Sequence, residues 1–405
     1  MVDADSSAAG RPPLPFFTFV VVPDVALACI MALQPPRAVK IGLSLGLLLA
    51  SAYACVAYTM GNPTDDYTMG STFYGNTVLN IALFTWLTDP VKDIRYLRET
   101  TALSEKSLVA RIWSMLCMIH NNRLIGTNAQ VANVPPPFKG TKAQFLWRRL
   151  RQLLYGLAAL DLVGSFIHTH HHLYMPDTAP LHFPPGALGH LMRSACTAIW
   201  LVMSYLYLKL SYVVLSMFAV ATGLGNGHHE DWPDLFGQWS EAYTVRHLWG
   251  RAWHQGLRRH FSRWGKLTVQ LLGIPRGTWL SSQVQIHVAF GLSALLHCMG
   301  DLALGTQHFG RSWMFFAVNG AAITLEDTVI AIAKRIGFGG TVEGARPGRG
   351  VRTLGYIWVC IWFAYSGPLY YSWLWESGVA QNDMLPYSPT RSLLLPFIQN
   401  ILESS

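Results

Sequence analysis

Charge is scarce in this chain. Asp, Glu, Lys and Arg make up 13% of its 405 residues and 51% are hydrophobic, where an ordinary soluble domain carries about 25% charged residues. That shortage excludes the two or three soluble domains that length alone would suggest and points to a membrane protein. Acidic residues are scarcer than basic ones, 22 against 30. In a polytopic chain such an excess belongs to cytoplasmic loops, so no nucleic-acid partner is expected. Cysteine pairs are also lacking. The six cysteines, Cys29, Cys55, Cys117, Cys196, Cys298 and Cys360, form no C-x-x-C motif, and five lie in apolar runs. A disulfide framework and a zinc site are thereby set aside in favour of buried thiols. The first residues lack the charged region and cleavage site of a secretory signal, so the first apolar stretch is expected to be kept as a span. No internal repeat and no low-complexity tract is present.

What is present is a series of apolar stretches, each near the roughly 20 residues a helical span needs. Eight are expected, at 14–33, 38–59, 71–88, 152–168, 194–221, 281–303, 312–333 and 353–376. With the N-terminus outside the cytoplasm and the sides alternating, 25 of the 30 Lys and Arg fall on the cytoplasmic side, an asymmetry that supports an even number of spans. The expected fold is all-α: a polytopic transmembrane bundle forming one integral-membrane domain over 1–405. Two long cytoplasmic segments, 89–151 and 222–280, stand out. The first carries HNNRLIGT and a Pro-Pro-Pro run, read as a structured turn and a helix break. The second ends in QGLRRHFSRWGKLTVQLLGI, read as a basic amphipathic helix on the membrane surface, in contact with lipid. The glycine-rich stretch 337–350 reads as a mobile loop.

His297, in GLSALLHCMGDL, lies deep in an apolar stretch. Such residues face a protein interior or a wet cavity, and a neutral imidazole near pH 7 is a good general base. A core histidine bonded to another helix is the competing reading, and the residues alone leave both open. Asp301 follows one helical turn later, placed to orient His297 or to cap the helix end. His287 points about 80° away from that face and is the weaker candidate. RHLWGRAWHQGLRRHF (246–261) holds four arginines, three histidines and two tryptophans in sixteen residues. Arg246, Arg251, Arg258, Arg259 and Arg263 serve either as positive-inside anchors or to bind phosphate oxygens of a cofactor. Trp249 and Trp253 share a helical face and could be interfacial anchors or line a channel. Glu326 and Asp327 lie within the seventh stretch, as helix–helix polar contacts or partners for Lys334 and Arg335. The spacing of His229 and Asp234 matches the His–Asp pair of soluble-faced glycerolipid acyltransferases, but the other blocks of that family are missing. The run HTHHH (168–172) leaves a span without a scaffold to fix ligands, so no metal is expected.

In this order the blocks NNRLIGT (121–127), WPDLFGQWSEAYTVRHLWGRAWHQGLR (232–258), FGLSALLH (290–297), ITLEDTVI (323–330) and LGYIWVCIWF (354–363) resemble the fungal wax-synthase-like branch of the membrane-bound O-acyltransferases, especially its terpenoid and meroterpenoid acetyltransferases. The likeness covers about residues 110–370. Leu248, Ala294 and Cys298 depart from the family's usual Phe, Gly and Glu. The resemblance implies an internal reaction chamber entered by acetyl-CoA from the cytosol and by a lipophilic alcohol from the bilayer. His297 would be the general base, with His254 its partner as oxyanion donor or positioning group. Arg246, Trp249, Arg251 and Trp253 would line the CoA entrance, and Asp301 and Glu326 would face the substrate. The membrane implied is that of the endoplasmic reticulum. Ranged against this are a long-chain wax-ester synthase, a transporter with a polar path through Asp161, Lys209, His297 and Glu326, and a structural subunit. One strain remains: His297 falls about 24 Å into a span entered from the cytosol.

Overall fold

The computed structural model describes residues 10–174, 183–225, 227–337 and 347–404. Most of the expected loop 337–350 lies outside the described residues. Among those described, no strand forms; only single bridges, Pro13 with Thr59 and Tyr96 with Thr127, break the helical pattern. The chain order is α1 (Val22–Leu33), α2 (Arg37–Ala57), a helical run over 63–87 labelled α3, α4 (Leu108–His120), α5 (Lys142–Thr169), α6 (Ala187–Thr222), α7 (Arg258–Leu271), α8 (Trp279–Leu304), α9 (Trp313–Arg335), α10 (Arg349–Ser366), α11 (Pro368–Glu376) and α12 (Leu395–Ser404).

Among the described residues, five stretches are long and apolar enough to cross a membrane: Arg37–Ala57, Lys142–Thr169, Ala187–Thr222, Trp279–Leu304 and Thr306–Arg335. Each coincides with an expected span, although α5 starts ten residues before 152 and α6 seven before 194. The other three expected spans are built differently. The first apolar helix, Phe17–Leu33, is short. In α3, α-helical turns (Pro63–Thr68, Gly75–Ile81) alternate with π turns (Met69–Tyr74, Ala82–Leu87). The last divides at Gly367, where Pro368 cannot donate a backbone hydrogen bond.

The chain forms two compact units. One comprises Met1–Pro136 and Phe236–Trp362, the other Pro137–Leu235 and Phe363–Ser405. In the first, α8 is the central element, packed against α2, α3, α7 and α9. Small residues let α3 and α8 meet backbone to backbone: a Cβ at Gly70 would lie 2.5 Å from the Met299 carbonyl oxygen, and one at Gly75 would lie 2.6 Å from that of Leu296. Helix α7 is amphipathic as expected, and its buried face of His260, Gly265 and Val269 packs on α8, with Gly265 against Gln285. A knot of polar bonds ties the helix ends together. Arg11 donates to Asp66 at 2.8 Å and to the carbonyls of Cys55 (3.2 Å) and Ala303 (2.8 Å), while Thr59 donates to the same carboxylate.

In the second unit α5 packs on α6. Arg149, buried in α5, donates to Asp234 at 2.8 Å and to the Trp232 carbonyl at 2.6 Å. Asp161 accepts from the Thr390 amide at 2.8 Å. Asp234 is therefore held by arginine, and His229 meets the Gly140 carbonyl at 2.8 Å; the glycerolipid-type pair is not assembled. His168 lies 3.4 Å from Asp383.

Candidate active site

The basic, tryptophan-rich segment is no surface loop. Val245 and Ala252 are fully buried and Gln255 nearly so. It runs alongside α8 and α9. Its entry is fixed by Glu326 of α9, whose carboxylate accepts from the amides of Val245 (2.7 Å) and Arg246 (3.4 Å) and from the indole of Trp358 (3.0 Å). Arg246 pairs through both Nε (2.8 Å) and Nη2 with Asp327, which also accepts from Gln283 at 2.7 Å. One turn on, Trp249 packs edge-on against Phe290 and Phe315 and donates to Asn319 at 3.2 Å. Val245 thus lies at the level of Gln283, and Trp249 at that of Phe290. The span from Gln283 to His297 is about 21 Å of helix. The segment follows about half of that length, from the level of Gln283 to that of Phe290. Irregular backbone is tolerated at such depth where protein surrounds it or it lines a cavity.

Several bonds hold this descent in place. Residues Leu248–Ala252 form a π turn. Gln255 donates to the carbonyls of Trp249 and Trp253 and accepts from Arg258, which also donates to the Gly250 carbonyl at 2.9 Å. Gly237 passes so close that a Cβ would lie 2.0 Å from the Arg251 carbonyl oxygen, while its amide donates to Ala252. Arg251 is half exposed and lies 3.3 Å from Glu241.

His297 stacks on Phe316, with centroids 4.7 Å apart at 20°. Its Nδ1 lies 3.1 Å from the Tyr67 hydroxyl. Its flanking residues Leu296 and Cys298 are buried while His297 itself keeps partial exposure. Around His254 stand Phe236 and Trp253, and Arg123 lies within electrostatic reach. Arg123 itself is buried at the turn NNRLIGT. There Asn121 clamps both backbone groups of Ile125 at 3.0 Å, Leu124 takes a φ of 48° and Gly126 one of 78°.

Of the eight residues expected at the site, seven belong to this one unit's core of α8, α9 and the inserted segment, with the half-exposed Arg251 at its edge. Their duties differ from the expectation. Arg246 is engaged by Asp327 and not open at an entrance. Asp301 is fully buried, its oxygens accepting from the Ser312 amide (2.9 Å) and hydroxyl (2.5 Å); it holds the α8–α9 connection and does not bond His297. Glu326 holds the inserted segment. Asp327 pairs with Arg246, not with Lys334 or Arg335. His287 meets Thr324 at 3.1 Å. Tyr67 and Asn319 escaped sequence reasoning altogether. Asn319, wholly buried, accepts from both Trp249 and Trp362; an Asn within an apolar run was the available signal. Nothing near Tyr67 set it apart from the chain's other tyrosines.

These long apolar helices define an integral membrane protein. The family described as membrane bound O-acyl transferase matches residues 232–318, which takes in the inserted segment, α8 and His297. The acetyltransferase ple2 of Rhodocybe pseudopiperita is 30% identical over 320 residues, covering 78% of this chain and 79% of its own. The acetyltransferase eriL of Hericium erinaceus is 28% identical over 359 residues, covering 86% and 88%. The acetyltransferase aurG of Calcarisporium arbuscula is 28% identical over 252 residues, 57% of each chain. No solved structure matches. The chain belongs to the membrane-bound O-acyltransferase family and is an acyltransferase.

Proposed function

We propose that this enzyme moves an acetyl group from acetyl-CoA to a hydroxyl of a lipophilic, terpenoid-like alcohol in the endoplasmic reticulum membrane. His297 is the general base. It takes the alcohol proton as the alkoxide oxygen attacks the thioester carbonyl. The tetrahedral oxyanion collapses, the C–S bond breaks, and the CoA thiolate recovers the proton from the imidazolium. His254 can donate a ring N–H toward the oxyanion, where a fixed donor in a dry site contributes most. Trp249 and Trp253 line the approach and Arg251 stands at its mouth.

One observation carries this reading: His297 lies within an apolar helix, stacked on Phe316 and 3.1 Å from the Tyr67 hydroxyl, and still keeps part of its surface. Acetyl as the transferred group is supported by these relatives, each named an acetyltransferase. The test is to incubate microsomes carrying the enzyme with labelled acetyl-CoA and a panel of terpenoid alcohols, then identify the ester. Label appearing in an ester with the wild type and not with His297→Ala is the expected result. Ester formed equally by both, or only from long-chain acyl-CoA, would overturn the mechanism or the donor respectively.

A further inference from the structure

We propose that Tyr67 is the positioning residue for His297, holding the imidazole in the tautomer that can act as a base. This rests on the reading of His297 as the base. A neutral imidazole carries one N–H, and only the other nitrogen can accept a proton. The Tyr67 hydroxyl stands 3.1 Å from Nδ1. With the phenol oxygen accepting the Nδ1–H, the lone pair lies on Nε2, the nitrogen that then meets the substrate. When Nε2 takes the alcohol proton, the positive charge spreads over the ring and the same bond strengthens. The phenol keeps its own proton throughout.

The surrounding structure over-determines this contact. Tyr67 sits on the second turn of α3, which Asn62 caps by accepting from the Asp65 amide and which starts at Pro63. Its neighbour Asp66 is locked by Arg11 and Thr59, and Arg11 also grips the Ala303 carbonyl near the end of α8. The base-bearing helix and the tyrosine-bearing helix are thereby tied at one end. Between them, Gly300 makes room: a Cβ there would lie 2.7 Å from Tyr67 Cε2, so any larger residue would push the phenol off its line to His297. On the other flank Phe316 stacks on the imidazole, fixing the ring plane and leaving rotation about it to be settled by the bond at Nδ1.

The test is the pair Tyr67→Phe and His297→Ala in detergent-solubilised enzyme, assayed with labelled acetyl-CoA and the terpenoid alcohol that the wild type esterifies fastest. Tyr67→Phe keeps the ring and removes only the acceptor. We expect kcat to fall about 10–100-fold, within the range that general-base catalysis supplies, with both KM values and the unfolding temperature nearly unchanged. The acid limb of the kcat–pH profile should move to lower pH, since the imidazolium has lost its acceptor. A kcat and pH profile matching the wild type, while His297→Ala is inactive, would overturn the role of Tyr67 and leave the base intact. A loss confined to KM or to thermal stability would reduce Tyr67 to packing and overturn it equally. Full turnover by His297→Ala would remove the base itself.

Discussion

At the residue scale, the site depends on buried polar groups with few alternatives. Asn319 is the plainest case. Its Oδ1 receives two indole N–H groups, from Trp249 and Trp362, and its Nδ2 donates to the Phe315 carbonyl at 2.8 Å. Asn319→Leu would leave both indoles without an acceptor, at about 1–3 kcal/mol for each group stranded. The expected outcome is a clearly lowered unfolding temperature in differential scanning fluorimetry and weakened acetyl-CoA binding, since Trp249 loses its anchor. His297 was legible in the sequence because a histidine in an apolar helix is conspicuous. Tyr67 was not, because a tyrosine in a membrane protein is unremarkable until its hydroxyl is seen beside a particular nitrogen. For Asp301 and Glu326 the sequence stops short for a related reason. An intramembrane carboxylate announces that it has a partner, but composition cannot say whether that partner is substrate or backbone.

At the scale of elements, the inserted segment 245–257 is what the sequence concealed. Its arginines and tryptophans read equally well as a surface anchor. The structure instead runs it down the bundle, with Glu326 at its entry and Gly237 against its middle. Two outcomes follow. Glu326→Ala strands the amides of Val245 and Arg246 and the Trp358 indole, and is expected to raise KM for acetyl-CoA severalfold and increase protease sensitivity around residue 250. Glu326→Gln, which can still accept, should be milder; equal damage from both would show that charge, not acceptance, matters. Gly237→Ala forces a Cβ onto the Arg251 carbonyl and should disable the segment as thoroughly as a deletion there, measured by loss of transfer in protein that still inserts. Sequence periodicity did serve elsewhere. The span 281–303 fell within α8 with its ends two residues and one residue short, because α8 is one uninterrupted helix. It missed the make-up of the 71–88 stretch, where π turns do not alter the apolar pattern.

At the scale of the whole molecule, histidine burial sets the response to acid. His260, on the buried face of α7, is pushed to about 3 by burial and then by Arg259, against a bond to Leu79. That lies below the ordinary 6.5 of an unfolded chain, so it is neutral in the fold and protonated when unfolded in mild acid. Its contribution is complete above about pH 6.5 and is lost as pH falls toward about 3. Unfolding temperature should be flat above that point and decline below it, and His260→Gln should shallow the decline; a decline beginning only below pH 4 would contradict the burial. The general architecture, a polytopic helical membrane protein with positive charge gathered between spans, was readable from composition alone. The division into two compact units was not, because it depends on which helices pack together.

The central claim is that His297 removes the proton of a membrane-dissolved alcohol while acetyl-CoA stands beside it. The most direct measurement is single-turnover transfer from labelled acetyl-CoA to the alcohol, wild type against His297→Ala, in protein shown to bind acetyl-CoA equally. The account predicts bound donor with no ester in the variant, a loss of at least about 10³-fold. Ester formation by that variant at near wild-type rate would contradict it.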